Sequence, residues 1–355
     1  MADPIRRCFL RPSTSALLGA LTVGSSLLAP TGLHAEPAPA PAPEPAKPAP
    51  AKTAPPTVKL IKPGDEPRFT YRLTPKPSDT LQIEMSMVMT QSMAMGEQKT
   101  PSMTSPQITM PIRANVTDVA ADGRITFKYT YLAPKIDLTN DPLGAGAQMK
   151  QSIDGLAGST GVVVATPRGF IESAEFNLSG NDPMLAQMVD SLQQAMRQMS
   201  TPFPEEPIGK GGVWEVTIQS QLSGLDTTTV YTLTADAVTA DQIDATVAIR
   251  QTAPAQDFKD PAAPPGMKLV SFLNEGAGPV VLRRDRVLPL RSRMVSNARI
   301  EFIVPMPDGN QTLVQNMQMT VTMNDVPAEA PAPTPEQPAP PAAPATPAVP
   351  AEQPK

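Results

Sequence analysis

Apolar and polar residues alternate along the middle of the chain with a period of two, and that period organises most of it into strands. Leu81, Ile83, Met85, Met87 and Met89 hold one parity, while Gln82, Glu84, Ser86, Val88 and Thr90 hold the other. This is the pattern of a strand with one buried face. Met93 and Met95 continue the first parity. A second alternation, Ile108, Met110, Ile112, Ala114 and Val116, leads through Ala121-Asp122-Gly123 into Ile125, Phe127, Tyr129 and Tyr131. An Asp-Gly turn between two alternating runs predicts a hairpin. Further strands are expected over 161–165, 170–178, 213–219, 228–233, 242–250, 269–273, 279–283, 288–304 and 313–323. Many antiparallel strands joined by short turns predict a curved, barrel-like sheet.

The period changes to 3.6 at two places, each introduced by Asn-Asp-Pro. Asn140-Asp141-Pro142 and Asn181-Asp182-Pro183 put Asp at the N-cap and Pro at the first helical position, where its missing donor costs nothing. The second helix, residues 183–199, carries Met184, Leu185, Met188, Val189, Leu192, Ala195, Met196 and Met199 on one stripe, which calls for an apolar partner. The first, with Met149, Ile153 and Leu156, is shorter and Gly-rich. The expected fold class is therefore α+β but β-rich: a curved antiparallel sheet, a half-barrel, wrapping one or two helices. An internal duplication is a further expectation. Val119 to Ile125 resembles Val238 to Ile243, and the glycine turn at 158–161 resembles a glycine turn at 276–278, with nearly constant spacing.

Composition divides the chain into four parts. Residues 1–35 read as an export signal: Arg6, Arg7 and Arg11 form a basic start, and residues 16–28 form an apolar run too short to span a bilayer. Arg6-Arg7-Cys8-Phe9-Leu10-Arg11 resembles the twin-arginine export signal, although Ile5 replaces the usual Ser or Thr, and the general secretory route stays open. Residues 36–58 and 326–355 are Pro/Ala arms, expected to be disordered, extended spacers. Between them, 59–325 form one β-rich domain. The expected localisation is exported, periplasmic or extracellular. Cys8 precedes the apolar run, so it cannot carry a lipoprotein's acyl anchor, and no transmembrane anchor is expected in the mature form.

The only histidine, His34, and the only cysteine, Cys8, both lie in that signal. A mature chain without imidazole or thiol lacks the usual neutral-pH base, the usual zinc ligands and the commonest activated nucleophile. It also has no disulfide, so burial must stabilise it. Residues 1–35 hold three Arg and one Asp. Without them, 26 basic and 33 acidic side chains remain, a net charge of about −7, which disfavours nucleic acid as a partner.

The signal, the Pro/Ala arm, the segment from Phe203-Pro204 through Pro207-Ile208-Gly209 to Trp214, and the strand pair from Gly278 to Arg293 together resemble an uncharacterised family of exported bacterial proteins that share a domain of unknown function. The resemblance covers about residues 65–325. It implies a curved sheet wrapping helices, similar to the half-barrels of periplasmic lipoprotein carriers and lipid-binding lipoproteins. It implies no catalytic residues.

Two candidate sites follow from the residues. Met85, Met87, Met89, Met93 and Met95, with Met317, Met319 and Met323, have the Met-x-Met spacing that a Cu(I) site can use. Strand periodicity produces the same spacing without a metal, and Met fills irregular apolar space. The apolar reading predicts a cavity lined by Met85, Met87, Met89, Phe127, Tyr129, Met184, Met188, Leu192 and Met196. The second candidate is an anion strip of Arg291, Arg293 and Arg299, which share one parity. Glu172 and Glu175 make a poor carboxylate pair, and no phosphate loop, nucleophile elbow or metal cluster appears. No cofactor and no enzyme activity are expected. The expected function is a non-enzymatic envelope protein that binds an apolar or lipid-like ligand. The alternative is an envelope scaffold acting on an anionic polymer or protein through its arms and its Arg-rich strand.

Overall fold

The computed structural model of the protein describes residues 55–139, 145–179, 202–222, 225–258, 263–307 and 309–326. The first half of the chain contributes β1 (Thr57–Lys62), β2 (Thr80–Met95), β3 (Gln98–Lys99), β4 (Met103–Thr104), β5 (Gln107–Val119), β6 (Ile125–Tyr131), β7 (Lys135–Asp137), α1 (Ala145–Asp154), β8 (Thr160–Ala165) and β9 (Ile171–Asn177). The second half contributes β10 (Val213–Leu222), β11 (Leu225–Val238), β12 (Gln242–Ala253), β13 (Gln256–Asp257), β14 (Lys268–Arg283), β15 (Arg291–Val304) and β16 (Gln311–Val326). All the strands join one antiparallel sheet of path β1-β10-β11-β12-β14-β15-β16-β2-β5-β6-β8-β9, unclosed between β1 and β9. Two meanders, one from each half, meet where β16 pairs β2 from Leu313↔Met95 to Val326↔Gln82.

The expected hairpin between β5 and β6 forms as the Asp-Gly signal requires. Gly123 takes a φ of +83° and its N–H donates to the Ala120 carbonyl. Asp122 accepts from the Arg124 N–H at 3.1 Å, a bond that holds its carboxyl below the ordinary carboxylate range. A one-residue bulge at Thr117 interrupts this hairpin two residues before Val119. The β11–β12 hairpin carries the same bulge at Asp236, two residues before Val238.

A break expected at 276–278 does not occur. Residues 269–273 and 279–283 belong to the single strand β14. The glycines serve packing instead of chain reversal: a Cβ at Gly278 would sit 1.6 Å from the Arg293 carbonyl oxygen, and one at Gly276 would sit 2.5 Å from that of Val295. Without side chains at these two positions, β15 can press against β14. The strand expected from 288 starts at Arg291, because Leu288 turns inward and is buried with the first-half core.

Residues 63–79, between β1 and β2, show how far the sheet curls. Leu73 N–H donates to Pro167 O, in the β8–β9 turn, and the next residue, Thr74, donates to Arg284 O, in the β14–β15 turn. In sheet order those turns lie six strand spacings apart, about 29 Å in a flat sheet at 4.8 Å per strand. Two adjacent backbone donors reach both, so the sheet is strongly curved.

Three apolar clusters pack along the core side of the sheet. The first lies on β2, β5, β6, β8 and β9 and includes Ile83, Ile112, Phe127, Tyr129 and Val163. The helix α1 packs into it through Ile153, with Leu156 just beyond the helix end. The second cluster joins Trp214, Val216, Leu233 and Ile243 to Tyr71 and Phe203 from the connecting segments. The third, including Met267, Leu269, Phe272 and Phe302, occupies the opposite end of the second-half strands. The stronger helix expected at 183–199 lies outside the described residues, as do the signal and most of the two arms.

Candidate ligand-binding face

Strand parity places the methionines of β2 and β16 on the core side of the sheet, and register brings them together. Met89 faces Met319, Met85 faces Met323, and Met87 faces Val321 across the β2–β16 pair. The row continues outward: Met85 opposes Met110 on β5, while Val321 opposes Met294 on β15. Met89, Met110, Met317 and Met323 are buried; Met85, Met87, Met93, Met95, Met294 and Met319 are half-exposed. Met85 and Met87 pack on the first cluster, Met294 on the second, and Met89 with Met317 in the third. The seam between the two meanders is therefore a methionine strip touching all three cores.

The expected lining residues divide accordingly. Met85, Met87, Phe127 and Tyr129 share the first cluster, whereas Met89 belongs to the third. Met184, Met188, Leu192 and Met196 lie outside the described residues. Tyr129 is fully buried, its ring filling the space where Gly161 has no side chain. It packs edge-on to Tyr131, with Phe176 against both. Its hydroxyl has no hydrogen-bond partner. Burial, with the neighbouring Tyr131 adding to it, pushes its pKa far above the usual tyrosine value.

A second feature of the same face was not expected from the sequence. Between clusters two and three runs a band of buried polar residues: Ser220 on β10, Thr227 and Thr229 on β11, Gln251 on β12, Asn274 on β14 and Ser296 on β15; Gln315 on β16 is also buried but faces Ile300 inside cluster three. Register joins the band from β10 to β14, since Ser220 faces Thr227, Thr229 faces Gln251, and Gln251 faces Asn274; Ser296 sits one core-side row away, opposite Gly276. Ser220 and Thr227 hydroxyls bond each other at 3.0 Å. Asn274 Nδ2 donates to Gln251 Oε1 at 3.4 Å, leaving Asn274 Oδ1 buried without a donor. The sequence does carry a sign of this: Gln251 stands on the parity of Ile243, Ala245 and Val247, and Asn274 on that of Phe272, where an apolar residue belongs.

The opposite face carries the arginines. Arg291, Arg293 and Arg299 are all exposed and, as their parity requires, point to the same side of β15. Arg299 is engaged by Glu301, Arg283 by Asp285 and Arg286 by Asp325 at 3.6 Å. Arg284 donates to Thr70 O at 2.6 Å and lies 4.8 Å over the Tyr71 ring. Among the described residues Arg291 and Arg293 form no ion pair, so the strip narrows to these two. The Tyr71 hydroxyl reaches the carbonyls of Thr239 and Gln242, and burial pushes its pKa up to about 12 against the pull of Arg284. Tyr71 thus pins the 63–79 segment to the β11–β12 turn.

No described helix is long and apolar enough to cross a membrane. No family model matches this sequence, and no curated protein matches it either.

Proposed function

We propose that this chain is a non-enzymatic exported protein that binds an apolar or lipid-like ligand on the methionine-lined face of its curved sheet. The observation that carries the reading is the half-exposed state of Met85, Met87, Met294 and Met319, which lie on the core side between three packed clusters. A closed core would bury such side chains. Their flexible thioethers suit a chain of variable length and unsaturation. Each ligand methylene buried there would contribute about 0.8 kcal/mol. The export signal expected over residues 1–35 and the Pro/Ala arms support placing such a carrier in the cell envelope. The matching bulges at Thr117 and Asp236 support a further reading, that the sheet arose from two copies of one meander joined at β2–β16.

Native mass spectrometry of protein purified from its own envelope, with organic extraction, tests the function. A stoichiometric lipid is the expected result. A clean apo mass with no uptake of a fluorescent fatty acid would sink it.

The unpaired Arg291 and Arg293 favour one alternative, an envelope scaffold holding an anionic polymer or acidic protein on the outer face. In that case replacing both by Ala releases the protein from isolated envelopes; unchanged retention removes the alternative.

A further inference from the structure

Resting on the apolar-ligand reading, we propose that the ligand is amphipathic, with an uncharged head group that donates a hydrogen bond, and that this head sits on the polar band against Asn274.

Three observations support this. First, the buried polar side chains of the band are Ser220, Thr227, Thr229, Gln251, Asn274 and Ser296. All are neutral. A carboxylate or phosphate placed among them would leave water without any opposite charge to meet it, which is strongly unfavourable. An uncharged hydroxyl or amide head avoids that cost. Second, Asn274 is 3% exposed and its Oδ1 accepts from nothing. A buried carbonyl oxygen left in that state is an acceptor awaiting a donor. The neighbouring Ser220–Thr227 pair satisfies itself, so the unmet demand is confined to the middle of the band. Third, the band leads directly onto the methionine strip. Asn274 faces Ala298 on β15, and Ala298 faces Met317 on β16. On the next core-side row Ser296 faces Met319, which faces Met89. Ala298, Met317, Ser296 and Met89 are buried and Met319 is partly exposed, so a head at Asn274 reaches the methionine strip only by displacing packed side chains on β15 and β16.

The geometry differs from that of a fatty-acid site built around a cation. Arg291, Arg293 and Arg299 stand on the opposite face of the same sheet, so an anionic head among the methionines would find none of them.

The test is competition for the neutral dye N-phenyl-1-naphthylamine on the whole mature protein, with three probes sharing one oleoyl chain: 1-monooleoylglycerol, methyl oleate and oleate at pH 9. One hydrogen bond to an otherwise orphaned acceptor is worth roughly tenfold in affinity. Monooleoylglycerol is expected to displace the dye at about tenfold lower concentration than methyl oleate, and oleate to be the weakest. In Asn274→Leu the gap between monooleoylglycerol and methyl oleate closes, while methyl oleate binds as before; a thermal melt shows that the variant is folded. Equal displacement by the glycerol and methyl esters in the unaltered protein, or a gap that survives in Asn274→Leu, overturns the proposal and leaves the orphan oxygen to a buried water. Should Asn274→Leu not fold, the unaltered protein decides through the same three probes. Failure of all three probes to displace the dye would instead overturn the apolar-ligand reading itself.

Discussion

The two halves of the sheet bury their core sides differently. In the first half, β5, β6 and β8 present an unbroken apolar surface, with Ile112, Ile125, Phe127, Tyr129 and Val163 each at most 2% exposed and α1 packed on top. In the second half the same face is cut by the band from Ser220 to Ser296, and the apolar residues fall into two clusters on either side. The first arrangement is what stability alone requires of a sheet. The second places a row of polar side chains where apolar ones would pack, and that row is where the proposed ligand's head would sit. The methionine seam lies where the two kinds of surface meet.

Substitutions should separate the first half from the half proposed to bind, beginning with the glycines that let β15 press against β14. Gly278→Val puts a side chain into the Arg293 carbonyl, a clash with backbone that cannot be relieved by a rotamer change. We expect a loss above about 4 kcal/mol, read as failure to accumulate folded protein or loss of a cooperative melt. Phe127→Ala opens the first cluster and should cost about 3–5 kcal/mol in denaturant unfolding. Met87→Ala, at a half-exposed seam position, should cost only about 1 kcal/mol yet weaken oleoyl-chain binding. If the two costs were equal, the contrast between core and seam would be wrong.

Alkali should act through the tyrosines. Burial raises Tyr71, Tyr131 and Tyr231 to about 12 from an unfolded value near ten. Between those values the folded chain holds protons that the unfolded chain has lost, so stability is fully present below about pH 10 and declines as pH rises toward 12. The melting temperature should be flat from pH 7 to 9 and then fall by several degrees; Tyr71→Phe should make that fall shallower. The smallest effect is expected at the outer face, where Arg291→Ala with Arg293→Ala should change stability by less than about 0.5 kcal/mol in the same melts.

Much of the fold can be read from alternation alone. The parity of Leu81 to Met89 and of Ile108 to Val116 places β2 and β5, and the Asp122-Gly123 signal places the hairpin that follows. Parity also assigns the methionines to one face, because that property is local. What is not local stays hidden. Gly276 and Gly278 look like a turn, since a glycine that admits a neighbouring strand and a glycine that reverses the chain are written with the same letter. Segment 63–79 has no periodicity, and only its contacts with the Pro167 and Arg284 turns reveal its role. Gln251 and Asn274 are visible as flaws in two separate alternations, but nothing in the sequence says that they face each other.

The most direct test of the binding face uses the methionines themselves. With ε-13C-methyl methionine labelling, titration with monooleoylglycerol followed by NMR should move the methyl signals of Met85, Met87, Met294 and Met319 together. Met149, on α1 against the first cluster, should stay in place. Shifts confined to the exposed Met306, or no shift at any methionine at saturating lipid, would contradict the account.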